Sequence, residues 1–343
     1  FENDSIPSEF TKFSNLALWQ LINRNSAKKF IQKNNLDFFY EGNGQGLVGA
    51  ISAIGYDFHD HTLELLSYRK KRKFGKKRKI SSESVKTMQE KTFPYTFNSF
   101  DTKKGRVLIT PHGPDPVFYG VRGENVDSLV SATKILKSSE KLDGYMIFKS
   151  NQGTGDHLKN ELNFETMKPY ASGTLSGIVS NVPKIVKGGH VFFTIISKNH
   201  EFWCAVYKET GISTMASNLI IGDEISVGGG VRKASKNFPR IINLEFIKII
   251  NLKKNLSKSN PICKKCNKKM KSKGQNQGFQ CIRCGKKSSN KIILEIPRKI
   301  KKQLYIPKIS AHRHLTRPLQ RTGMTNKNAK FDDSQSWFCV YGQ

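Results

Sequence analysis

The sequence is short of acid: 27 Asp and Glu stand against 58 Lys and Arg, for a formal net charge of +31. A chain this basic is drawn to nucleic acid or to an anionic membrane surface. It also lacks any apolar run of about 18 residues, so no segment reads as a bilayer span and nucleic acid is the preferred partner. Cysteine is scarce, six in 343 residues, and no secretory leader pattern is present. The thiols are therefore expected in a reducing compartment, the cytoplasm, and not in a disulfide scaffold. No Gly-Lys-Ser/Thr follows the glycine-rich turns, which excludes a P-loop. An initiator methionine is missing too: the chain opens at Phe1 and is expected to be the C-terminal part of a longer protein. Hydrophobic residues make up only 37%, yet 22 Phe supply core material for two or three domains.

Four of the six cysteines fall in one stretch, Cys263-Lys-Lys-Cys266 and Cys281-Ile-Arg-Cys284. Two such knuckles at hairpin separation bring four thiolates into a tetrahedron, and Gly285 suits the turn that the second one needs. Two disulfides or a redox pair are the rival readings. Four soft sulfur ligands favour zinc or an iron centre and leave no open position, so the metal is expected to be structural. Between Lys253 and Lys302 there are seventeen basic residues against one acid, Glu295. Lys264, Lys265 and Arg283 sit on the knuckles themselves and are expected to meet phosphate.

Ahead of the cysteines, apolar spacing over residues 12–34 predicts one or two amphipathic helices broken near Asn23–Asn25. Phe38-Phe39-Tyr40 reads as a strand. It leads into Gly42-Asn43-Gly44-Gln45-Gly46, a turn of exposed amides at a helix start that is able to hold an anion, though such turns are more often structural. A strand is predicted at 61–68. The basic block Arg69-Lys70-Lys71-Arg72-Lys73 through Lys79 then reads as a phosphate-contacting loop, with a merely solvated loop as the alternative. After a strand at 106–110, the Pro- and Gly-fixed loop 111–124 projects His112, Asp115, Arg122 and Glu124 as a ligand wall. A helix over 126–140 and a strand over 144–149 lead to a second polar loop carrying Asn151, Gln152, Thr154, Asp156 and His157. Asn151 and Gln152 suit a base or amide, and Thr154, Asp156 and His157 suit a phosphate, metal or amine; alternatively, Asp156 caps a helix and His157 lies on the surface. This half reads as an α+β sandwich whose loops meet at one sheet edge.

Five strands follow, at 171–180, 190–197, 201–207, 223–232 and 240–250, with a short helix within 212–221. That is the order of an OB barrel, which binds single-stranded nucleic acid. Beyond the cysteines, His312, Arg313, His314 and Arg317 favour backbone or phosphate contact over a metal. The cluster Trp337–Tyr341 has no explanation in the pattern. Domains are expected at 1–165, 166–256 (OB fold), 257–300 (zinc ribbon) and 301–343 (a basic C-terminal segment and tail).

In this order, the motifs Gly42–Ala50, Pro111–Glu124, Ser150–Thr154, the OB segment, the four cysteines and His312–Pro318 resemble the archaeal tRNA-isoleucine agmatidine synthetases over nearly residues 1–319. The resemblance implies a multidomain α+β and β protein in which residues 1–165 are ferredoxin-like. It implies an ATP-dependent ligase that replaces the C2 oxygen of the wobble cytidine in an isoleucine tRNA of CAU anticodon with agmatine, so that it reads AUA. Partners would be the anticodon region of that tRNA, agmatine, and ATP with Mg; structural Zn would be the resident metal. Asn43, Gly44, Gly46, His112, Asp115, Arg122, Glu124, Asn151, Gln152 and Thr154 would face the substrate cleft, with Asp115 or Glu124 orienting the agmatine guanidinium. The family's Asp-Asp-Thr-Asp motif for Mg-ATP does not occur here, so the catalytic phosphoryl-transfer residues are expected outside this sequence. The competing function is a non-catalytic single-strand binder that joins an OB fold to a zinc ribbon.

Overall fold

A computed structural model describes residues 6–236, 238–327 and 334–341. Three helices come first: α1 (Ser8–Trp19), α2 (Arg24–Lys33) and α3 (Leu47–Gly55). Their apolar faces bring Phe10, Phe13, Ala27, Ile31, Leu47 and Ile51 into a small core. The break between α1 and α2 is chemical: the Asn23 side chain accepts from the Ser26 N–H at 2.8 Å and starts the new helix. α3 lies so close to α1 that a Cβ on Gly55 would stand 2.2 Å from the Phe10 carbonyl. The expected strand at Phe38–Tyr40 is absent. With no edge to pair with, these residues are exposed and Phe38 stacks on Tyr40 at 5.8 Å.

The next unit runs β1 (Thr62–Arg69), α4 (Ser82–Thr92), β2 (Thr96–Phe97), a side hairpin of β3 (Phe100–Asp101) and β4 (Arg106–Val107), then β5 (Val117–Gly123), α5 (Val126–Ile135) and β6 (Leu142–Ser150). Without the side hairpin this is βαββαβ with antiparallel sheet order β6-β1-β5-β2, the ferredoxin-like topology. Alternation decides the faces: Leu63 and Leu65 of β1 bury against Val85, Met88, Leu129 and Ala132. Glu64 and Leu66, which pair with Arg122 and Gly120 of β5, therefore turn to the open side of the sheet. α5 stops at Ile135, short of the expected 140, because the chain turns extended at Leu136 and Ser139 donates to the Lys79 carbonyl.

A barrel follows, from β7 (Ser172–Val179), a short β8 (Lys184–Ile185), β9 (Val191–Ser197), β10 (His200–Val206), α6 (Ser213–Ala216), β11 (Glu224–Arg232) and β12 (Ile241–Asn251). Its five long strands close as β7-β9-β10-β12-β11-β7, and β10 runs parallel to β12 through Trp203 opposite Ile241. That pairing, with α6 between the third and fourth strands of the ring, is the OB fold. Phe193, Ile195, Phe202 and Cys204 point inward, whereas Phe192, Trp203 and Tyr207 are only partly buried, so alternation sends fewer than half of these aromatic rings to the core.

β13 (Leu256–Ser259) leaves the barrel; β14 (Lys271–Ser272), β15 (Phe279–Gln280) and β16 (Lys287–Ser288) form a three-stranded head; β17 (Ile292–Glu295) returns beside β13. β18 (Leu304–Tyr305) then joins β12, and β19 (Phe338–Val340) crosses back to extend the ferredoxin-like sheet beside β6. Trp337 and Cys339 pack on that sheet's core, which accounts for the cluster at 337–341. No helix among the described residues is long and apolar enough to cross a membrane.

Candidate functional site

The loop after β6 is held by the far end of the chain. Gly153 and Gly155 adopt left-handed φ of 71° and 73°, and their N–H groups donate to the carbonyls of His314 and Leu315 at 2.8 Å each. Residues 312–317 thus form a strap against the Asn151–Gly155 turn. Thr154 is buried and its hydroxyl donates to the Asn151 carbonyl at 2.6 Å, so this residue shapes the loop and does not present a group to a ligand. Gln152 does project, and its amide donates to Glu64 at 2.5 Å.

Glu64 lies in a pocket of about 390 Å³ on the open face of the sheet, walled by Leu66, Phe97, Leu108 and Ile109 with His112 at its edge. Arg122 donates to the other Glu64 oxygen at 3.3 Å and meets His314 Nδ1 at 2.8 Å. The structure therefore brings together His112 and Arg122 of the 111–124 stretch, Gln152 of the loop after β6 and His314 of the strap. Glu64 itself escaped the sequence reading, although the alternation Leu63, Glu64, Leu65 already turned it away from the core.

Other expected wall residues are spoken for. Asp115 accepts from Arg78 at 3.2 Å, while the same guanidinium donates to the carbonyls of Pro111, Gly113, Asp115 and Val117 at 2.7–3.0 Å. Arg78 thereby sets the shape of the loop, and Asp115 is part of that clamp. Glu124 accepts from Arg321 at 2.6 Å on one oxygen and from Asn326 at 2.7 Å on the other, and its side chain is nearly sealed, so its partners lie inside the fold. Asn43 and Gly46 stay in an exposed turn, and Gly44 is buried against the Tyr40 ring. Asn43 accepts from Gln45 at its side chain and from Arg24 at its carbonyl. The turn does not line the Glu64 pocket. α3, which it starts, instead shares a separate hollow of about 610 Å³ with Tyr56, Lys149 and Asn151.

The strap continues into a buried charge network. Arg321 and Asp60 are fully buried and joined by two hydrogen bonds of 3.0 and 3.2 Å, with Arg317 donating to Asp60 at 2.5 Å. Burial pushes the Asp60 carboxyl up, but Arg321 and the Asn326 N–H outweigh it and hold the group below the usual carboxylate range.

Several residues expected on tRNA are placed elsewhere. Arg69 is sealed in the core, bidentate on Glu140 at 2.7 and 3.0 Å, so it cannot reach phosphate. Arg317 is committed to Asp60 and the Thr154 carbonyl. His312 is half-buried and bonded to the Pro307 carbonyl at 2.8 Å; burial lowers its pKa and keeps it neutral, which favours the backbone contact over a phosphate. His157, for which the sequence allows a surface position as one of two alternatives, is buried against Glu245. Lys71, Arg72, Lys264, Lys265, Arg283, Arg313 and His314 are exposed, and Lys70 is partly so.

In the head, one sulfur from each of Cys263, Cys266, Cys281 and Cys284 lies within 4.8 Å of all the others. Cys263 and Cys284 are 3.5 Å apart, near the spacing of about 3.8 Å that four thiolates take around one Zn²⁺. The knuckles are matched: Asn267 donates to the Cys263 carbonyl and Gly285 to that of Cys281, both at 2.8 Å and both with positive φ. Four sulfurs close the coordination sphere, so the residues fit a structural zinc and offer it no reactive position.

A family model described as the TiaS FLD domain matches residues 44–157, and one described as the TiaS C-terminal zinc ribbon domain matches residues 260–300. The chain is 45% identical over 341 residues to TiaS of Cenarchaeum symbiosum, the 2-agmatinylcytidine synthetase of the second isoleucine tRNA, covering 99% of this chain and 76% of the relative. Among solved structures, a complex of TiaS with that isoleucine tRNA and ATP matches with a TM-score of 0.80 at 32% identity, over 94% of this chain and 74% of the other. A complex of TiaS with the same tRNA, AMPCPP and agmatine matches with a TM-score of 0.78 at 32% identity, over 91% and 73%.

Proposed function

The chain belongs to the TiaS family of isoleucine-tRNA 2-agmatinylcytidine synthetases, ATP-dependent ligases that join agmatine to a tRNA, and from that premise we propose that the Glu64 pocket receives the agmatine. Agmatine carries a cation at each end of a four-carbon chain. A site for it needs a carboxylate at one end, apolar walls along the middle and an exit toward the nucleotide. The single observation that carries the reading is Glu64 standing among Leu66, Phe97, Leu108 and Ile109 in one pocket.

Arg122 and Gln152 fix the carboxylate from the side, which orients its remaining lone pairs. Held at the far end by Glu64, the guanidinium leaves the other end free, where the ammonium gives up a proton to water and the resulting amine is the nucleophile. Phosphorylation of the cytidine C2 oxygen turns a poor leaving group into a good one, and the amine displaces it at the ring carbon. ATP, with magnesium, supplies that phosphoryl group, and no residue of this chain is assigned to it. The zinc head and its lysines grip the RNA. The cytoplasm is the compartment that fits a tRNA substrate and reduced cysteines.

In the test, the full-length protein is incubated with labelled agmatine, ATP and an isoleucine tRNA of CAU anticodon. Glu64→Gln removes one charge-assisted hydrogen bond, about 1.5–3 kcal/mol, so KM for agmatine should rise roughly tenfold or more while tRNA affinity is unchanged. An unaltered KM moves agmatine elsewhere. No label in the tRNA, with tight binding to unrelated single-stranded DNA, is the outcome of the competing single-strand binder.

A further inference from the structure

Where the helical module, the barrel and the strap meet, a cavity of about 490 Å³ opens beside His157, Tyr170, Arg232, Asn243, Glu245 and Arg313. It is distinct from the Glu64 pocket, and His314 is the one residue that lines both. Two ionisable groups more than nine-tenths buried form its floor: His157 Nε2 meets Glu245 Oε2 at 2.9 Å. Burial pushes the Glu245 carboxyl up, but His157 and the Arg313 guanidinium outweigh it and hold the group below its ordinary range, so it is ionised at neutral pH. A carboxylate requires a donor, which places a proton on His157 Nε2, facing Glu245, and turns Nδ1 away from it. That buried Nδ1 has no partner.

The mouth is built differently. Tyr170 has a left-handed φ of 67°, a conformation that bulky side chains rarely adopt. Its N–H donates to the Val231 carbonyl at 2.8 Å, and the residue is 58% exposed. The fold sustains a strained backbone and thereby presents an aromatic face beside two arginines. Arg313 reaches Glu245 at 3.3 Å, yet most of its side chain is in solvent, where it is free to turn toward a phosphate.

We propose that this cavity binds a nucleotide, with the base stacked on Tyr170, its amino-bearing edge toward Glu245, and the phosphate toward Arg232 and Arg313. The Glu245 carboxylate in the floor repels phosphate and asks for N–H donors, which favours adenine, cytosine or guanine over uracil, whose edge has no exocyclic amine. The inference rests on the tRNA-modifying reading. Because the reacting cytidine must meet agmatine, which is assigned to the other pocket, the nucleotide here is a second, unpaired residue of the same RNA. Free nucleotide has the same chemistry, so the test must separate the two sources.

The full-length protein is bound to the isoleucine tRNA transcript, irradiated, and its protein–RNA cross-links mapped by mass spectrometry. A link from Tyr170 to an unpaired nucleotide other than the wobble cytidine is expected. Tyr170→Leu should abolish it and weaken tRNA binding about tenfold, with AMP or CMP unable to compete at millimolar concentration. Glu245→Gln, with thermal unfolding as the folding control, should relax the preference against uridine at the linked position. A link to the wobble cytidine itself, or wild-type tRNA affinity for Tyr170→Leu, overturns the proposal while leaving the family's reaction in place. Saturable binding of AMP or CMP that Tyr170→Leu removes, without any RNA link, reassigns the cavity to free nucleotide and overturns the RNA assignment. Failure of the wild-type protein to bind the transcript at all would instead count against the tRNA-modifying reading.

Discussion

Two of the largest side chains sealed inside this protein are arginines, Arg69 and Arg321. Each survives burial because carboxylates are folded in with it: Glu140 for the first, Asp60 and Glu124 for the second. Removing one member of such a set strands the others without solvent, at a cost of about 3–5 kcal/mol. Arg321→Met should therefore lower the denaturation midpoint sharply, and Arg321→Lys should recover little of it, because an ammonium lacks the fork that spans Asp60 and Glu124. A midpoint near wild type for the Met variant would mean that the strap is not held by charge. Buried titratable groups set the acid limb. His61 and His312 have pKa values lowered from 6.5, first by burial, so the unfolded chain takes up protons that the fold does not; stability starts to fall once pH drops below about 6.5. Asp60, Glu140 and Glu245 have folded pKa values below their unfolded ones, so their contribution is complete above about pH 4.5 and is lost as pH falls through the folded values. Denaturation midpoints measured from pH 8 to 3 should fall in two stages; a flat profile between pH 6.5 and 5 would contradict the histidine assignment. None of these partnerships was legible in sequence, since Asp60 and Arg321 are 261 residues apart and an arginine in a basic run looks like every other one.

At the scale of elements, what could be read was whatever carries a short period or a fixed spacing. The five barrel strands and the cysteine knuckles belong to that class, because alternation and Cys-x-x-Cys are local. The strand at Phe38–Tyr40 failed for the complementary reason: β-propensity without a partner edge does not make a strand. The cluster at Trp337–Tyr341 had the composition of a strand, but its edge, β6, lies nearly 200 residues earlier and no local signal points there. The zinc head is the element with the least apolar support, its core being the four cysteines with Met270 and Phe279. Chelation or Cys281→Ser should accordingly unfold β14–β16 while the barrel, with its own large core, keeps its transition. Metal analysis should find one zinc per chain and two resolved melts after chelation; a single unchanged melt would refute the metal's structural role.

For the whole molecule, charge was legible at once but its placement was not. A formal +31 is a property of composition, whereas the fold decides which cations are spent internally. Arg69, Arg78, Arg298, Arg317 and Arg321 all end on carboxylates or carbonyls. The exposed remainder includes Lys71 and Arg72 on the ferredoxin-like unit and Lys264, Lys265 and Arg283 on the head. These two groups differ in what they can do to binding. A side chain that neutralises a phosphate releases condensed counterions and lowers the salt slope of log K by roughly 0.7–0.9 when removed, whatever the RNA sequence. An internal arginine alters affinity only by altering the fold. Replacing Lys264, Lys265 and Arg283 together by Gln should therefore cut the slope by about two to three, weaken tRNA and unrelated RNA alike, and leave the thermal midpoint within a degree or two. Arg317→Gln should do the reverse, lowering the midpoint with little change in slope. Filter binding of both variants across 50–300 mM salt separates the cases, and an unchanged slope for the triple variant would remove the head from the RNA interface.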